Sequence, residues 1–340
     1  MPRHTKRHIK LFIWFPIVTL IVGVSFWFWS QYGNNPYPNY SIQYGTTFSS
    51  KYAKELGLDW QAAYIATLDD LGVKHLRIPI YWDEVETEPG VYILTHVEWM
   101  LNEAAGRGAD VTLVVGNRVP RWPECHPPIW TINLSESEVN QAEARLVREV
   151  VTTFKGHPAL KRWQVENEPF LSVFGECEPP NDTHIAAMSQ LVHDLDQQHE
   201  IMITDSGELS SWTKAASGAD VLGISMYRVT WNSFWGYFYY PIPPVHYSAK
   251  AKLVEPLVNK VIVSELQVEP WPPGLLTATP LAEQFKSMNQ ERINANIDFA
   301  RRTGFSEVYL WGTEWWYWLK TEQNSPDIWN NGRQIFESSR

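Results

Sequence analysis

Apolar and polar positions along this chain switch repeatedly between two periods. Eight short apolar runs recur, at residues 40–45, 75–82, 110–116, 160–169, 200–208, 220–227, 260–271 and 307–318. They are rich in β-branched and aromatic side chains, as buried strands are. Between them lie stretches with the i, i+3, i+4 spacing of amphipathic helices. Residues 60–72 carry Ala63, Ile65, Leu68 and Leu71 at that spacing, and 97–108, 136–156, 183–197 and 283–304 follow the same rule. Gly72, Gly108, Gly156 and Gly304 stand where such helices stop. The segments "LGVKHLR", "RGADVTL" and "TGFSEVYL" share one order: helix end, glycine, short link, strand.

Eight strands alternating with helices across residues 40–318 predict an α/β chain folded as a (β/α)8 TIM barrel. The alternative, a doubly wound sheet, usually announces itself with a glycine-rich phosphate turn. No GxGxxG or GxxxxGK[ST] is present. A barrel carries its chemistry at the C-terminal ends of its strands, so polar residues there become candidates and those at strand starts do not.

The N-terminus reads differently. Arg3, Lys6, Arg7 and Lys10 precede an uncharged stretch, Leu11 to Ser30, of bilayer-spanning length. It ends in Phe26, Trp27, Phe28 and Trp29, as an interfacial aromatic belt does. The expected organisation is a basic cytoplasmic tail (1–10), a single transmembrane signal anchor (11–30), a linker (31–39) and an extracytoplasmic barrel (40–340). A cleaved signal peptide is the alternative, with Gly23-Val24-Ser25 as a weak cleavage site.

Composition narrows the function. The formal charge of −10 argues against a nucleic-acid partner. The 18 Trp, 15 Tyr and 14 Phe are enough to fill a core and still line a cleft. No HxH, HExxH or GxSxG spacing occurs, which disfavours a metal site and a serine-hydrolase elbow. Cys125 and Cys177 lie in the loops after the third and fourth strands. Outside the cytoplasm a disulfide between them is the expected state, two free thiols the alternative.

The candidate chemistry sits at strand ends. "WQVENEPF" ends the fourth strand in Asn167 and Glu168, and "VIVSELQ" carries Glu265 on the seventh. Carboxyls on strands four and seven face each other across a barrel mouth, as glycoside hydrolysis requires. One acid must stay protonated to donate to the leaving oxygen, and the other must stay ionised to attack. Arg77 in "LRIP" and Tyr227 in "SMY" are suitable donors to the ionised one. Asn167 suits a sugar hydroxyl, and Trp311 suits the apolar face of a sugar ring.

These motifs resemble those of the clan-A glycoside hydrolases, in which an Asn-Glu pair ends strand four and a nucleophilic Glu sits on strand seven. "LRIPIYW" and "WGTEWW" resemble glycoside hydrolase family 5, the cellulase and mannanase family, and "WQVENEP" and "VSELQ" also echo the family 10 xylanases. The resemblance spans residues 77 to 318 and implies a retaining β-glycosidase without cofactor, acting on a β-linked glucan, mannan or related oligosaccharide. It implies Glu168 as acid/base and Glu265 as nucleophile, supported by Asn167, Arg77, Tyr227 and Trp311. The chain reads "VVGNRVP" after strand three, where family 5 usually has a histidine, and "SMY" on strand six, where His-x-Tyr is common.

Several readings stay open at this level. Glu166 immediately precedes the catalytic-type residues Asn167 and Glu168, and strand alternation puts it on the same face as Gln164 and Glu168. Buried there it needs a partner, for which an arginine is expected, and Arg77 is one choice. Tyr227 and Trp311 have core packing as their alternative. Asp205, Glu208 and Glu314 are rim acids that either bind sugar or cap loops, and Glu269, four residues on from Glu265, competes with it for the nucleophile's place. His126 either reaches the cleft or serves its loop. Residues 231–244 wall the cleft, lean on a membrane or pack as a plain loop. A sugar-binding barrel without turnover and an envelope-glycan transglycosylase are the competing functions.

Overall fold

The computed structural model describes residues 15–27, 41–178 and 182–338. Among the described residues, eight parallel strands close into a barrel. They are β1 (Gln43–Thr47), β2 (His75–Pro79), β3 (Asp110–Val115), β4 (Leu160–Val165), β5 (Glu200–Asp205), β6 (Val221–Met226), β7 (Lys260–Gln267) and β8 (Glu307–Trp311). Each pairs with its sequence neighbour, and β1 closes on β8 through Gln43↔Glu307 and Tyr44↔Val308. All eight expected strands are present, seven within the runs their apolar pattern marked and β1 reaching two residues past its run, to Thr47.

The helices differ more. Trp60–Asp69, Thr95–Gly106, Glu136–Phe154 and Asp182–Leu195 match the expected segments. The fifth, 283–304, is two helices, Leu281–Ser287 and Gln290–Arg301. Asn289 breaks it by capping the second helix, its side chain accepting from the Arg292 amide. The last apolar run also divides. Its strand stops at Trp311, Gly312 takes a φ of 115°, and Thr313–Thr321 continues as a helix. A Cβ on Gly312 would lie 2.2 Å from Cβ of Glu269, so no other residue fits that turn.

Two cores form. The outer one fills the space between strands and helices and includes Leu76, Leu113, Trp163, Ile224, Leu266 and Trp316. Inside the barrel Met202, Val221, Ile262 and Tyr309 form a smaller cluster. Below it the fully buried Arg162 donates to Glu307 at 3.0 Å and Tyr309 donates at 2.9 Å. Burial works against the Glu307 charge, but Arg162, Lys161 and Lys260 outweigh it and hold its carboxyl at about 2. This ionic plug closes the bottom of the barrel and leaves the top for the site.

After β6 an antiparallel hairpin, Val229–Asn232 with Gly236–Tyr239, stands where a loop was expected. Gln267 pins it, accepting from the Arg228 and Val229 amides at 3.0 Å each and donating to the Val229 carbonyl at 2.8 Å. Trp231 and Tyr240 of this segment line the cleft, while Phe234 and Trp235 at its tip are exposed. Of the expected anchor, residues 15–27 are helical and exposed, and Trp27 donates to the Pro241 carbonyl at 3.2 Å. Residues 1–14 and 28–40, which hold the basic tail, the ends of that anchor and the linker, lie outside the described residues. Among the described residues no helix is long and apolar enough to cross a membrane.

Candidate active site

A cleft of about 870 Å³ opens at the C-terminal ends of the strands. Asn167, Glu168, Tyr227, Glu265 and Trp311 line it, together with Glu208 and Glu269.

Glu265 reaches the cleft through a one-residue bulge. Ile224 of β6 pairs with Val263 of β7, but Ser225 pairs with Glu265, so Ser264 is left over. Ile262 points into the barrel and Val263 outward. Strict alternation would then turn Ser264 inward and Glu265 outward. The bulge reverses the phase. Arg77 then donates to Glu265 Oε1 at 2.8 Å and the Tyr227 hydroxyl to Oε2 at 2.9 Å. Both oxygens are thus held by donors, the environment a nucleophilic carboxylate needs.

Arg77 is fully buried and organises the rest. It also donates to Gln164 Oε1 (2.7 Å), Asn167 Oδ1 (2.7 Å) and Thr47 Oγ1 (3.2 Å). It pairs with Glu265 and not with Glu166, which settles one open reading of the sequence. Asn167 Oδ1 also accepts from the Thr204 hydroxyl at 3.1 Å.

Glu168 has the opposite surroundings. Its backbone takes a φ of 42° beyond the end of β4, and its amide donates to Thr204 Oγ1 at 2.8 Å. The Ser225 hydroxyl donates to its Oε1 at 2.6 Å. Burial, then the nearby Glu265 charge, pushes its carboxyl well above the usual range, against the Ser225 hydrogen bond. No cation pairs with it among the described residues. The two carboxyls of this cleft thus stand in opposite environments, one held by cation and hydroxyl and one raised by burial.

Glu166 leaves the expected face. Its φ of 56° turns the side chain out of the barrel, where its oxygens accept from the Asn117 and Arg118 amides at 2.9 and 2.7 Å. Its partner is not an arginine but a second acid, Glu143. Burial, then Glu143, raises the Glu166 carboxyl far above its ordinary value. Two buried carboxyls this close share a proton, since both cannot ionise together. His184 Nε2 lies 2.9 Å from Glu143 and extends the group. The space is tight: a Cβ on Gly116, at φ 137°, would come within 2.0 Å of Glu166 Oε1.

The remaining expectations divide. Trp311 lines the cleft, but the Arg121 guanidinium stacks on it at 4.0 Å and on Tyr52 at 3.6 Å, so one ring face is already covered. Arg121 pairs with Glu269 and, at 3.3 Å, with Glu314. Glu314 is buried behind it and accepts from the Ser49 amide at 2.7 Å, so it is no rim acid. Asp205 caps its own loop through the Ser206 amide and does not line the cleft. Glu208 does line it; burial raises its carboxyl to about 7, against the Tyr247 hydroxyl that donates to it. His126 turns away from the cleft. Its ring packs edge-on against Tyr81 and accepts from Lys51 at Nδ1, 3.1 Å. Burial, then the Lys51 charge, lowers it to about 4, which fixes the neutral ring.

Besides Arg121, three contributors escaped the sequence reading. Ser225 and Thr204 follow from inward alternation on β6 and β5 once strand ends are known. Glu124 had no such signal, because it sits in the irregular loop after β3. That loop is tied to the loop after β4 by a Cys125–Cys177 disulfide, Cα–Cα 5.5 Å.

No family model and no curated protein matches the chain. Solved structures do match, and they share its fold. A GH5_18 protein from Streptomyces cattleya in complex with GlcNAc aligns with TM-score 0.55 and 15% identity, over 80% of this chain and 70% of that one. An exo-beta-1,4-mannosidase from Opitutaceae bacterium strain TAV5 aligns with TM-score 0.56 and 16% identity, over 79% of this chain and 51% of that one. A beta-galactosidase from Marinomonas ef1 gives TM-score 0.60 and 12% identity, over 87% of this chain and 59% of that one. The solved structures sharing this fold thus include glycoside hydrolase family 5, the family that the motifs resemble.

Proposed function

We propose that this chain is a retaining β-glycoside hydrolase that cuts a β-linked glucan, mannan or related oligosaccharide. One observation carries the reading: Glu168 and Glu265 stand at one cleft in opposite environments. Glu265, held by Arg77 and Tyr227, attacks the anomeric carbon. Glu168 gives its proton to the leaving oxygen as the glycosidic bond breaks. The product is an α-linked glycosyl ester on Glu265. Glu168, now a carboxylate, takes a proton from water, which attacks the same carbon and frees Glu265 with net retention. The names of the solved structures above, a mannosidase and a galactosidase, support a β-linked sugar substrate.

The test is the anomer released first. Proton NMR of an early time course is expected to show the β-sugar. Initial release of the α-anomer means inversion and removes Glu265 from its role.

The same reading keeps the barrel outside the cytoplasm on its N-terminal apolar stretch. The basic flank at residues 3–10 and the disulfide support it. Intact mass of membrane-extracted protein is expected to include the N-terminal residues. A mature chain starting near residue 26 or 31 would defeat the anchor.

A further inference from the structure

Glu124 is a further carboxyl of the cleft, and the proposed acid/base pair has no use for it. It is 3% exposed, yet it lines the cleft. Its Oε2 accepts from Asn167 Nδ2 at 2.9 Å. Oε1 has no hydrogen-bond partner among the described residues. Its position is built, not incidental. The Glu124 amide donates to the Arg121 carbonyl at 2.7 Å and its carbonyl accepts from Val119 at 2.9 Å. The next residue, Cys125, is bonded to Cys177. Glu124 holds a left-handed φ of 77°, and Gly175 packs so close that a Cβ there would lie 3.0 Å from Cβ of Glu124. A carboxyl buried at this cost in backbone strain and desolvation needs a reason.

Placement supplies one. Asn167 receives Arg77 on its oxygen, and Arg77 holds Glu265. The Asn167 amide and Glu124 therefore lie on the Arg77-bound side of Glu265, close enough for its charge to act on Glu124. Of the two ring atoms bonded to an anomeric carbon, only C2 bears a hydroxyl, so that hydroxyl is the one a polar pair beside Glu265 can take.

We propose that Glu124 is a specificity-determining residue that takes the sugar hydroxyl next to the reacting carbon on Oε1 while its Oε2 orients Asn167. The proposal rests on the glycosidase reading above. The charged groups facing Glu124 are Glu265 of β7, Glu168 after β4, Arg77 of β2 and Arg118 of its own loop. Arg77 is engaged with Glu265, and Arg118 Nε stays 3.8 Å away while its other nitrogens hold the Leu171 and Phe174 carbonyls. Burial, then the Glu265 charge, raises the Glu124 carboxyl to about 8, against Asn167, Arg118 and Arg77. At neutral pH its Oε1 is a hydroxyl that donates to the sugar oxygen. Above that range it becomes an anion beside Glu265, and the donor is gone.

The experiment follows kcat/KM against pH for a dinitrophenyl β-glycoside, whose leaving group needs no proton from Glu168. The wild type is expected to lose activity above about pH 8. Glu124→Gln keeps a donor of the same shape and is expected to retain activity within roughly 5-fold at pH 6 and to lose that alkaline limb. Glu124→Ala is expected to fall roughly 10- to 100-fold at every pH, with far-ultraviolet circular dichroism unchanged. An alkaline limb that persists in Glu124→Gln, or a Glu124→Ala protein within roughly 3-fold of wild type, overturns the proposal and leaves the glycosidase reading standing. A wild type that turns over no aryl β-glycoside removes both.

Discussion

The end of β4 and the middle of β7 each turn one glutamate into the cleft, by different means. On β7 the strand stays a strand. One surplus residue, Ser264, shifts the phase, and Glu265 keeps extended backbone with partners on both oxygens. On β4 the ladder ends at Val165, and the chain then takes left-handed φ at Glu166 and again at Glu168. Non-glycine residues rarely hold that conformation, and its persistence needs support from around it. The support comes from the Asn117 and Arg118 amides on Glu166, the Glu143 carboxyl behind it and Thr204 under Glu168. A bulge thus delivers one carboxyl into a site rich in donors, whereas strained backbone delivers the other into a site that burial dominates.

Removing each glutamate should expose the difference most plainly. Glu265→Ala is expected to lose turnover by more than roughly 10^4-fold for every leaving group, since no covalent intermediate forms. Added azide is expected to restore part of it by filling the vacated face, giving an α-glycosyl azide that NMR identifies. Equal loss with no azide product would place the nucleophile elsewhere.

Glu168→Gln should discriminate where Glu265→Ala does not. Natural glycosides are expected to slow roughly 10^2- to 10^4-fold, while formation of the glycosyl enzyme from a dinitrophenyl glycoside stays near wild type. Burst kinetics separate the two steps. A uniform loss for good and poor leaving groups would deny Glu168 its proton-donor role.

A smaller effect tests the donors on β7. Tyr227→Phe takes one hydrogen bond from Glu265 and is expected to reduce kcat/KM roughly 10-fold. Arg77→Lys is expected to cost more, because one point charge cannot serve Glu265, Gln164 and Asn167 together. If Tyr227→Phe proves the more damaging, the arginine is mainly a barrel filler.

The smallest effect concerns stability at the β4 end. An unfolded glutamate ionises near pH ~4.3, but the folded Glu143–Glu166 pair holds its proton far higher. The folded state therefore binds more protons, and its stability falls as pH rises from that value through the folded pKa. Urea unfolding of Glu166→Gln is expected to show a weaker decline from pH 5 to 9 than the wild type, by about 1 kcal/mol. Parallel curves would mean that the pair shares no proton.

The same contrast explains what the sequence revealed. Apolar runs and glycine stops located all eight strands because a buried parallel strand has little choice of composition. The places of Glu168 and Glu265 at the cleft were legible through strand-end logic and through motif resemblance. Glu166 was misplaced because alternation was extended past Val165, where the backbone had already left the strand. The break at Asn289 was hidden by apolar spacing that continues across it. Pro244–Val254 and Asp327–Glu337 went unread as helices. Glu124 and Arg121 were invisible because their loop has no period, and only the folded chain brings them to the cleft.

The Cys125–Cys177 bond gives this loop a history as well as a position. Arg121 and Glu124 leave the ribosome well before Cys177, which lies 52 residues beyond its partner. Until that bond closes, the loop carrying Arg121 and Glu124 lacks its covalent tie to the loop after β4; the bridged chain is the finished form. Comparing sugar affinity before and after reduction and alkylation, at unchanged circular dichroism, would show whether the finished form alone grips its substrate.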